Sequence, residues 1–305
     1  MRIVILGAGG RLGAALTHEY REKYDVIGFN HAQLDLAKPD QVRGKLSPLE
    51  FDLLINCAAM TNVDLCEEQP DQALRVNAEA PGLLAEICRD KKAKLIHFST
   101  DYVFDGEKRE PYSEEDEARP ISTYGESKRE GEQNVLATVG EAVGFPGTAG
   151  PSPTKMPLVV RVSWVFGPDR PSFVDAMIKR ARREEHVDAI ADKFSTPTYT
   201  RDIAEMLPRF FDVDVPGGVL HFANAGECSW QEYAQHALDR CQALGISLKA
   251  KTVDALKLAD MKNWVARRPV FSVLSTAKYA KLTDVTPRSW RDAVSDYIER
   301  SYSKK

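Results

Sequence analysis

The first thirteen residues, MRIVILGAGGRLG, constrain the fold more than any other stretch of the chain. The run RIVIL is short, apolar and rich in β-branched side chains, which predicts a buried strand. Glycines then follow at positions 7, 10 and 13, where a helical pattern begins. This G-x-x-G-x-x-G spacing differs from G-x-G-x-x-G, because Leu12 stands at the last glycine of that register.

Glycines in a first strand-to-helix turn have a physical use beyond closing the turn. Without a Cβ atom, Gly7, Gly10 and Gly13 let the backbone approach a diphosphate, whose charge then lies at the helix N-terminus. Arg11 and Leu12 belong to the same turn. The motif therefore predicts a dinucleotide site for NADPH or NADH, with glycines that serve turn geometry alone as the alternative.

Strand-like and helix-like segments alternate through the first half of the chain, which is typical of βαβ units. The predicted strands lie at 2–6, 25–29, 52–58, 93–99 and 158–166, and the predicted helices at 10–23, 40–46, 70–90 and 122–140. Strands this continuously apolar belong in a sheet covered on both faces. The predicted fold class is α/β: a doubly wound Rossmann-type, mostly parallel sheet with a smaller, discontinuous α/β substrate lobe.

The second half of the chain indicates where that lobe lies. Helices are expected around 172–184, 200–212, 229–245 and 290–302, with short strands at 186–192 and 217–223. We expect an NAD(P)-binding domain formed by 1–168 with 195–223, and a substrate-binding lobe formed by 169–194 with 224–305. Residues 140–157 are rich in Gly, Pro, Ser and Thr, which predicts an inserted surface loop.

Composition limits the classes of function. A formal net charge of −4 argues against broad nucleic-acid binding, which needs a basic surface. The five cysteines form no C-x-x-C pair and have no histidines at metal-ligand spacing, and the acidic run at 113–117 is expected to be a solvated loop, so no metal site is predicted. The apolar run at 2–6 is too short for a signal peptide or a membrane span. These features predict a cytoplasmic protein.

The end of the second strand bears on the choice of cofactor. An acidic residue there would bind the adenosine ribose 2′-hydroxyl, but the chain has Asn30. An asparagine neither repels nor strongly attracts a 2′-phosphate, so NADPH and NADH stay open, with NADPH or dual use slightly favoured. Asp35 and Leu36 are predicted to flank the adenine; a capping Asp beside a core Leu is the equal alternative.

The segment HFSTDYVFDG (97–106) predicts a strand that delivers the hydroxyl of Ser99 or Thr100 to the carboxyl edge of the sheet, where ligands bind. Tyr124 follows, and Lys128 stands four residues after it on the same face of a predicted helix. A hydroxyl, a phenol and an ammonium in one crevice suit hydride transfer to or from a carbonyl. A solvated helix edge is the alternative for the Tyr and Lys alone.

Motifs along nearly the whole chain resemble the dTDP-4-dehydrorhamnose reductase family of extended short-chain dehydrogenases/reductases. The similar segments are GAGGRLG, INCAAMTNVDLCEEQPDQALRVNAEAP, STDYVFDG, YGESK, RVSWVFG, DKFSTPTYTRDIA and ARRPVFS. The positions that the resemblance implies are Thr100, Tyr124 and Lys128 for catalysis, Ala58, Ala59 and Thr61 for the cofactor loop, and Phe104, Trp164 and Arg268 for the substrate.

The residue types explain how such a site would work. A free tyrosine has a pKa of about 10 and holds its proton tightly at neutral pH. Lys128 is expected to lower the pKa of Tyr124 and to donate to the nicotinamide ribose. Thr100 is expected to donate to the carbonyl oxygen while Tyr124 protonates the developing alkoxide. The implied reaction is reduction of the 4-keto group of a nucleotide-linked deoxysugar, dTDP-4-dehydrorhamnose, to dTDP-L-rhamnose.

Other functions occur among the proteins that this sequence resembles. Dehydration of a sugar nucleotide implies two acids after the threonine, whereas Asp101 is followed by Tyr102 here. A sugar-nucleotide 4-epimerase stays an alternative. So does a non-catalytic, NADP-binding regulatory subunit similar to the β subunit of methionine adenosyltransferase, although Trp164 favours the reductases.

Two further points qualify the resemblance. Packing is the alternative role for Phe104, Trp164 and Trp230, and a solvated surface arginine is the alternative for Arg268. Some members of the family are dimers bridged by metal through glutamates, one of them in the last helix. Arg300 stands there in this chain, so we expect no magnesium-bridged dimer, although another kind of homodimer is compatible with the sequence.

Overall fold

The computed structural model describes residues 1–140, 156–211 and 217–303. Its strands are β1 (Arg2–Leu6), β2 (Asp25–Phe29), β3 (Leu53–Asn56), β4 (Lys94–Thr100), β5 (Leu158–Val162), β6 (Val165–Phe166), β7 (Val187–Ile190), β8 (Phe194–Ser195), β9 (Thr198–Tyr199), β10 (Gly218–His221), β11 (Cys228–Ser229) and β12 (Val253–Leu256). The inserted loop predicted at 140–157 falls almost entirely outside the described residues.

The α-helices are α1 (Arg11–Tyr20), α2 (Pro39–Leu46), α3 (Val63–Glu68), α4 (Pro70–Leu74), α5 (Ala80–Asp90), α6 (Thr123–Gly140), α7 (Phe173–Ala181), α8 (Thr200–Met206), α9 (Trp230–Ala243), α10 (Ala277–Thr283) and α11 (Trp290–Tyr302). Short 3₁₀ turns occur at Asp101–Val103, Leu207–Phe210 and Leu258–Asp260, and a π-helical turn at Arg75–Glu79. Within the described ranges, none of the helices has the length and apolarity needed to cross a membrane.

Six parallel strands form the central sheet in the order β10-β5-β4-β3-β1-β2. The chain runs from β1 outward to β2 and then crosses back to β3, so the strand order reverses between β1 and β3. A crevice opens at such a switch point outside the carboxyl ends of the strands. The prediction of a doubly wound, mostly parallel sheet is confirmed.

The strands are apolar along their length because both faces of the sheet are covered. Ile3 and Ile5 pack on one face with residues of α1 and α8, whereas Val4 and Leu6 pack on the other with residues of α2 and α5. All four side chains are at most 1% exposed. This double cover fixes the carboxyl edge of the sheet, on which the site is built.

The predicted strand at 158–166 is broken in two. β5 ends at Val162, and Trp164 takes a left-handed backbone conformation with φ of 40°. The Ser163 hydroxyl donates to the Thr196 carbonyl at 2.7 Å, and β6 leaves the central sheet to pair with β9. A continuous strand is wrong here because the backbone turns, which brings the Trp164 side chain to the crevice.

The predicted helix at 70–90 is interrupted by the π-helical turn between α4 and α5. The turn buries Asn77, whose Oδ1 accepts from the Met60 N–H at 2.8 Å and whose Nδ2 donates to the Met60 carbonyl at 3.0 Å. Such turns commonly occur at functional sites. Here the irregular turn fixes the loop after β3.

A second apolar cluster lies apart from the sheet and contains residues of α7, α9 and α11 beside the parallel pair β7 and β12. This cluster corresponds to the expected substrate lobe, and the boundaries given above stay a proposal. Tyr279 of α10 packs in the sheet cluster instead, so the segment around it returns to the nucleotide-binding side.

Candidate active site

A cavity of about 1160 Å³ opens at the carboxyl edge of the central sheet. The glycine turn and the ends of β2, β3 and β4 form its walls on the sheet side, and β6, α7 and α9 contribute from the other side. Predicted residues on its lining are Gly7, Gly10, Arg11, Leu12, Asn30, Asp35, Leu36, Ala58, Ala59, Thr61, Thr100, Tyr124, Lys128 and Trp164. One continuous crevice therefore holds most of the residues predicted for catalysis, cofactor and substrate.

The glycine turn leaves no room for side chains. Gly7 has a φ of 74°, and a Cβ atom there would lie 2.8 Å from the backbone nitrogen of Ala58. At Gly13, which lies behind the lining, a Cβ would be 2.2 Å from the Gly7 carbonyl oxygen. α1 begins next to Gly10 with no side-chain cap on its first N–H groups. This close, uncapped helix start fits the diphosphate of a dinucleotide.

Alanine at Gly13 should weaken NADPH binding, because the added methyl group pushes α1 away from the Gly7 carbonyl. Overpacking of this kind costs about 1–3 kcal/mol, so we expect the Kd to rise about tenfold or more. Gly44→Ala is the matched control, since a Cβ at that helical glycine meets nothing within 4 Å. A fluorescence titration with NADPH that finds equal affinities for both variants would contradict this role of Gly13.

Arg11 ties the glycine turn to the opposite wall. Its guanidinium donates to the carbonyls of Val165 at 3.1 Å, Arg170 at 3.2 Å and Pro171 at 2.5 Å. Arg170 makes a contact in the other direction: its Nε donates to the carbonyl of Gly9 in the glycine turn at 2.6 Å. Sequence reasoning missed Arg170, which lines the cavity beside the glycine turn.

At the expected adenosine end, Asp35 makes the capping contact considered for it, and its place beside the adenine stays a prediction. Asp35 lines the cavity, and its Oδ1 accepts from the Ala37 N–H at 3.0 Å, as a turn-capping carboxylate does. Lys38 lies 3.4 Å from its other oxygen. Asn30 exchanges hydrogen bonds with Gln33 at 3.0 and 3.1 Å, so its amide is already oriented. No carboxylate replaces Asn30 at the end of β2.

A chain of buried polar contacts connects the loop after β3 to Lys128. The Ala58 N–H donates to Asn56 Oδ1 at 3.1 Å, and Asn56 Nδ2 lies 3.0 Å from His97 Nδ1. His97 Nε2 lies 3.2 Å from Lys128 Nζ. Burial and Lys128 lower the pKa of His97 well below its ordinary value, so the ring is neutral. Asn56 and His97 were missed, because both interrupt apolar strands without any local motif.

The three predicted catalytic side chains, those of Thr100, Tyr124 and Lys128, all line the cavity. Lys128 is 1% exposed, and its Nζ donates to the Phe98 carbonyl at 2.8 Å. Burial lowers the pKa of Lys128 to about 8, while the carboxylate of Glu132 acts in the opposite direction. Lys128 is thus a desolvated cation that α6 and β4 hold in place.

The acidity expected for Tyr124 is not what the structure shows. Burial raises the pKa of Tyr124 well above its ordinary value, and only a hydrogen bond with Thr100 lowers it. Lys128 directs its ammonium at Phe98 and His97 instead. Desolvation dominates the pKa of the phenol, and Lys128 is not among the groups that shift it, so the expected lowering by Lys128 stays a prediction.

Thr100 has hydrogen-bond partners within the protein. Its Oγ1 donates to Asp101 Oδ1 at 3.1 Å and accepts from the Tyr102 N–H at 3.2 Å. It also lies beside the phenol of Tyr124, and its hydrogen bond lowers the pKa of that phenol. Its donation to a substrate oxygen stays a prediction.

Aromatic side chains form another part of the cavity lining, called the aromatic wall below. The rings of Trp164 and Trp230 lie 5.6 Å apart, and Phe173 stacks on Trp230 at 5.1 Å. All three line the cavity together with Tyr233. Among the described residues, the indole nitrogen of Trp164 and the hydroxyl of Tyr233 are buried without hydrogen-bond partners. Trp230, for which packing was expected, both packs on these rings and lines the cavity.

Phe104 and Arg268 lie outside the cavity lining, which corrects their expected contact with substrate. Phe104 is fully buried and stacks on Tyr112 at 4.2 Å, because the 3₁₀ turn after β4 carries it away from the edge of the sheet. Arg268 pairs with Asp64 at 2.7 Å and stacks on Trp264 at 3.8 Å. Its guanidinium is satisfied within the protein and is not a solvated surface group.

The Asp64–Arg268 pair predicts a pH-dependent stability. The hydrogen bond from Arg268 is the main cause that lowers the pKa of Asp64 to about 2, so this stabilisation is complete above about pH 4 and disappears as the pH falls through about 2. We expect Asp64→Asn to lower the free energy of unfolding by about 1–2 kcal/mol at pH 7 in urea titrations. The deficit should shrink below pH 4.

The exposed Asp90, which pairs only with its neighbour Arg89 among the contacts described, supplies the control Asp90→Asn. This variant should unfold like the parent protein at both pH values. A deficit of Asp64→Asn that stays constant with pH would assign the loss to packing instead of charge.

The sequence analysis also made predictions about metal sites, cysteines and Arg300. Within 1–140, 156–211 and 217–303, no three His, Cys, Asp or Glu side chains converge as a metal site. The cysteines in these ranges are free thiols. Arg300, which stands where the metal-bridged dimers are expected to have a glutamate, pairs with Asp296 at 2.6 Å in α11.

Comparisons with known proteins agree with the geometry. The family model described as "RmlD substrate binding domain" matches residues 1–303. A dTDP-4-dehydrorhamnose reductase of Mycolicibacterium smegmatis is 36% identical over 97% of this chain and 85% of its own length. A probable dTDP-4,6-dihydroxy-2-methyloxan-3-one 4-ketoreductase of Streptomyces antibioticus is 36% identical over 97% of this chain and 94% of its own length.

A solved structure agrees in fold over nearly the entire length. The dTDP-4-dehydrorhamnose reductase of Bacillus anthracis, in complex with NADP, superposes with a TM-score of 0.87 at 29% identity, and the match covers 98% of this chain and 99% of the other. The family predicted from the motifs is thereby confirmed. The chain belongs to the dTDP-4-dehydrorhamnose reductase (RmlD) family of extended short-chain dehydrogenases/reductases.

Proposed function

We propose that this protein is an NADPH-dependent reductase that converts the 4-keto group of dTDP-4-dehydrorhamnose to the hydroxyl of dTDP-L-rhamnose. One observation carries the proposal: Thr100, Tyr124 and Lys128 line the same cavity as the glycine turn. The relatives named as reductases, and the NADP in the solved relative, support the same substrate class and cofactor. NADH stays the alternative cofactor.

The chain has a place for each part of the dinucleotide. Gly7, Gly10 and the start of α1 would hold the diphosphate, and the loop at Ala58 and Thr61 would line the nicotinamide half. Asn30 and Leu36 would line the adenosine half. When bound, the reduced nicotinamide supplies the hydride for the carbonyl carbon.

The protein's own side chains supply the proton that the ketone oxygen receives. Tyr124 donates its phenolic proton to the ketone oxygen as negative charge develops there, and a positioned acid of this kind contributes about 10²–10⁴-fold to a rate. Lys128 places a buried positive charge on the same wall, where it stabilises the phenolate that Tyr124 leaves behind. Thr100 holds the phenol in place from the side.

The aromatic wall is the proposed seat of the nucleotide sugar. Trp164, Trp230 and Phe173 present apolar ring faces toward the cavity, and rings of this kind stack on sugar and base faces. The indole N–H of Trp164 has no hydrogen-bond partner among the described residues, and we propose that it donates to a substrate oxygen. Arg268 has no part in this proposal because Asp64 occupies its guanidinium.

Turnover separates this proposal from its rivals. We expect purified protein to oxidise NADPH when dTDP-4-dehydrorhamnose is added, with release of one oxidised cofactor per sugar. A 4-epimerase would interconvert sugars without net loss of NADPH absorbance. A regulatory subunit would bind NADPH and turn over none of the 4-keto nucleotide sugars in a panel that includes the 4-ketosugar named for the Streptomyces relative. Either result would overturn the proposal.

We also propose that the enzyme works in the cytoplasm on a nucleotide sugar, without a nucleic-acid or membrane partner. The net charge of −4 supports the absence of nucleic acid. A homodimer stays a prediction, which sedimentation of the purified protein tests.

A further inference from the structure

An arginine from outside the central sheet lies beside the glycine turn. Arg170 stands in the segment between β6 and α7, and its side chain lines the cavity. Its Nε donates to the Gly9 carbonyl at 2.6 Å, which fixes the direction of the guanidinium. A guanidinium has five N–H donors in a planar fork, so this bond uses one of them and leaves four.

The remaining donors of Arg170 are unused. In the described part of the chain, its two Nη groups have no hydrogen-bond partner, and no carboxylate forms an ion pair with it. The neighbouring Arg11 differs, because all three of its guanidinium nitrogens donate to backbone carbonyls. Of these two arginines, Arg170 is therefore the one that can still bind an anion in the cavity.

The position of Gly9 places this guanidinium at the expected adenosine end of the cavity. A Cβ atom built on Gly9 would lie 3.1 Å from Asn30 Cβ and 3.9 Å from Arg170 Nη2. Asn30 and Arg170 therefore border the same small space, which the missing side chain of Gly9 leaves open. Asn30 directly follows β2, and the ribose of a bound adenosine lies at the end of that strand in folds of this kind.

The groups around this space suit a phosphate better than a ribose hydroxyl. An acid at the end of the second strand accepts from the 2′-hydroxyl of NAD, whereas a nearby arginine accommodates the 2′-phosphate of NADP. The residue here is Asn30, whose Oδ1 accepts from the Gln33 N–H at 3.1 Å, so that its Nδ2 can donate as well. Asp35 also lines the cavity, but Lys38 Nζ lies 3.4 Å from its carboxylate and compensates the negative charge.

We propose that Arg170 is a cofactor-specificity residue, which binds the 2′-phosphate of NADPH through its Nη groups while its Nε stays on the Gly9 carbonyl. The inference rests on the proposed reductase function and names the side chain that makes NADPH the preferred cofactor. A phosphate accepts two parallel N–H bonds from one guanidinium. The 2′-hydroxyl of NADH offers neither the charge nor the second acceptor oxygen.

The test compares two affinities in the variant Arg170→Gln. Glutamine can still donate to the Gly9 carbonyl but has no charge. We expect the Kd for NADPH to rise about ten- to a hundredfold, which is the usual effect of losing hydrogen bonds to a charged group. The Kd for NADH should stay almost the same, because NADH has no 2′-phosphate. Fluorescence titration of the reduced nicotinamide measures both values.

Adenosine 2′,5′-bisphosphate and AMP isolate the phosphate, because they differ only in the 2′ position. In calorimetric titrations the parent protein should bind the bisphosphate more tightly, and the difference should shrink at high salt and disappear in Arg170→Gln. Arg119→Gln is the matched control. Arg119 is exposed, pairs with Glu117 and lies outside the cavity lining, so this variant should bind both probes like the parent.

Arg170→Lys keeps the test decisive if the glutamine variant does not fold. Lysine retains the charge but has a single nitrogen, which cannot hold the Gly9 carbonyl and the phosphate in the same fork geometry. We therefore expect part of the loss of NADPH affinity, again with NADH unchanged.

Equal losses of NADPH and NADH affinity in the folded Arg170 variants would assign this arginine to the cofactor diphosphate or to the glycine turn, and would overturn the inference. A parent protein that binds both cofactors equally well would also overturn it, although that protein could still be an active reductase. A parent protein that binds neither cofactor, or reduces no keto sugar, would overturn the proposed function itself.

Discussion

Tyr124→Phe should reduce kcat by about a hundredfold or more and leave the Kd for NADPH almost unchanged. The substitution removes the one proton that the account delivers to the ketone oxygen, and a positioned acid contributes about 10²–10⁴-fold. The ring stays in place because Tyr124 is 9% exposed and packs edge-to-face on Tyr102 at 5.7 Å. Steady-state kinetics with dTDP-4-dehydrorhamnose, beside an NADPH titration, measures both quantities.

Tyr24→Phe is the matched control for this prediction. Tyr24 packs on Tyr20 and Phe211, away from the cavity lining, so its loss should leave kcat unchanged. Full activity of Tyr124→Phe would remove the phenol as the acid. An equal loss of NADPH affinity and kcat would instead assign Tyr124 to cofactor binding.

Lys128→Met should lower kcat by about 10²–10³-fold and should also weaken NADPH binding. The ammonium is the buried positive charge on the wall that carries Tyr124, and methionine leaves the Phe98 carbonyl and His97 without their partner. Because burial lowers the pKa of Lys128 to about 8, kcat/KM of the parent enzyme should fall as the pH rises through about 8.

The alkaline limb of the kcat/KM profile distinguishes loss of the Lys128 charge from a general loss of structure. In Lys128→Met the limb should disappear, whereas Lys23→Met, at an exposed lysine, should retain it. Arginine at 128 would restore the charge with a higher pKa, so the limb should move upward in that variant. An alkaline limb that persists unchanged in Lys128→Met would contradict the role of the ammonium.

The fold was predictable because its signals are local. Each strand of the central sheet is a short apolar run, and a run that is apolar at every position indicates burial on both faces, as Ile3 and Val4 show. The glycine turn was also predictable from the sequence. Glycines at 7, 10 and 13 stand where the backbone comes too close to neighbouring atoms for a side chain to fit.

The irregular backbone was not predictable in this way. Trp164 lies within the apolar run RVSWVF, which has the composition of a strand, and its left-handed conformation depends on contacts with residues far along the chain, such as Thr196. Asn77 stands in a segment with a regular helical pattern, but in the π-helical turn its carbonyl lies against Gly131 and its side chain bonds the Met60 backbone. Tertiary contacts override local preference at both positions.

Charge pairing was the least accessible part of the site. Asp64 and Arg268 are distant in sequence, so no spacing rule brings them together. The sequence offered Arg268 as a free cation for the substrate. In the structure its guanidinium pairs with Asp64 instead.

The most direct test follows deuterium from the cofactor to the sugar. In ordinary water, the enzyme is given NADPH deuterated at the transferable position of nicotinamide C4, together with dTDP-4-dehydrorhamnose, and the product is analysed by NMR. The account predicts one deuterium on C4 of the new dTDP-L-rhamnose and an O–H proton that derives from the protein and solvent. Protium at that carbon, or unchanged keto sugar beside bound NADPH, would contradict it.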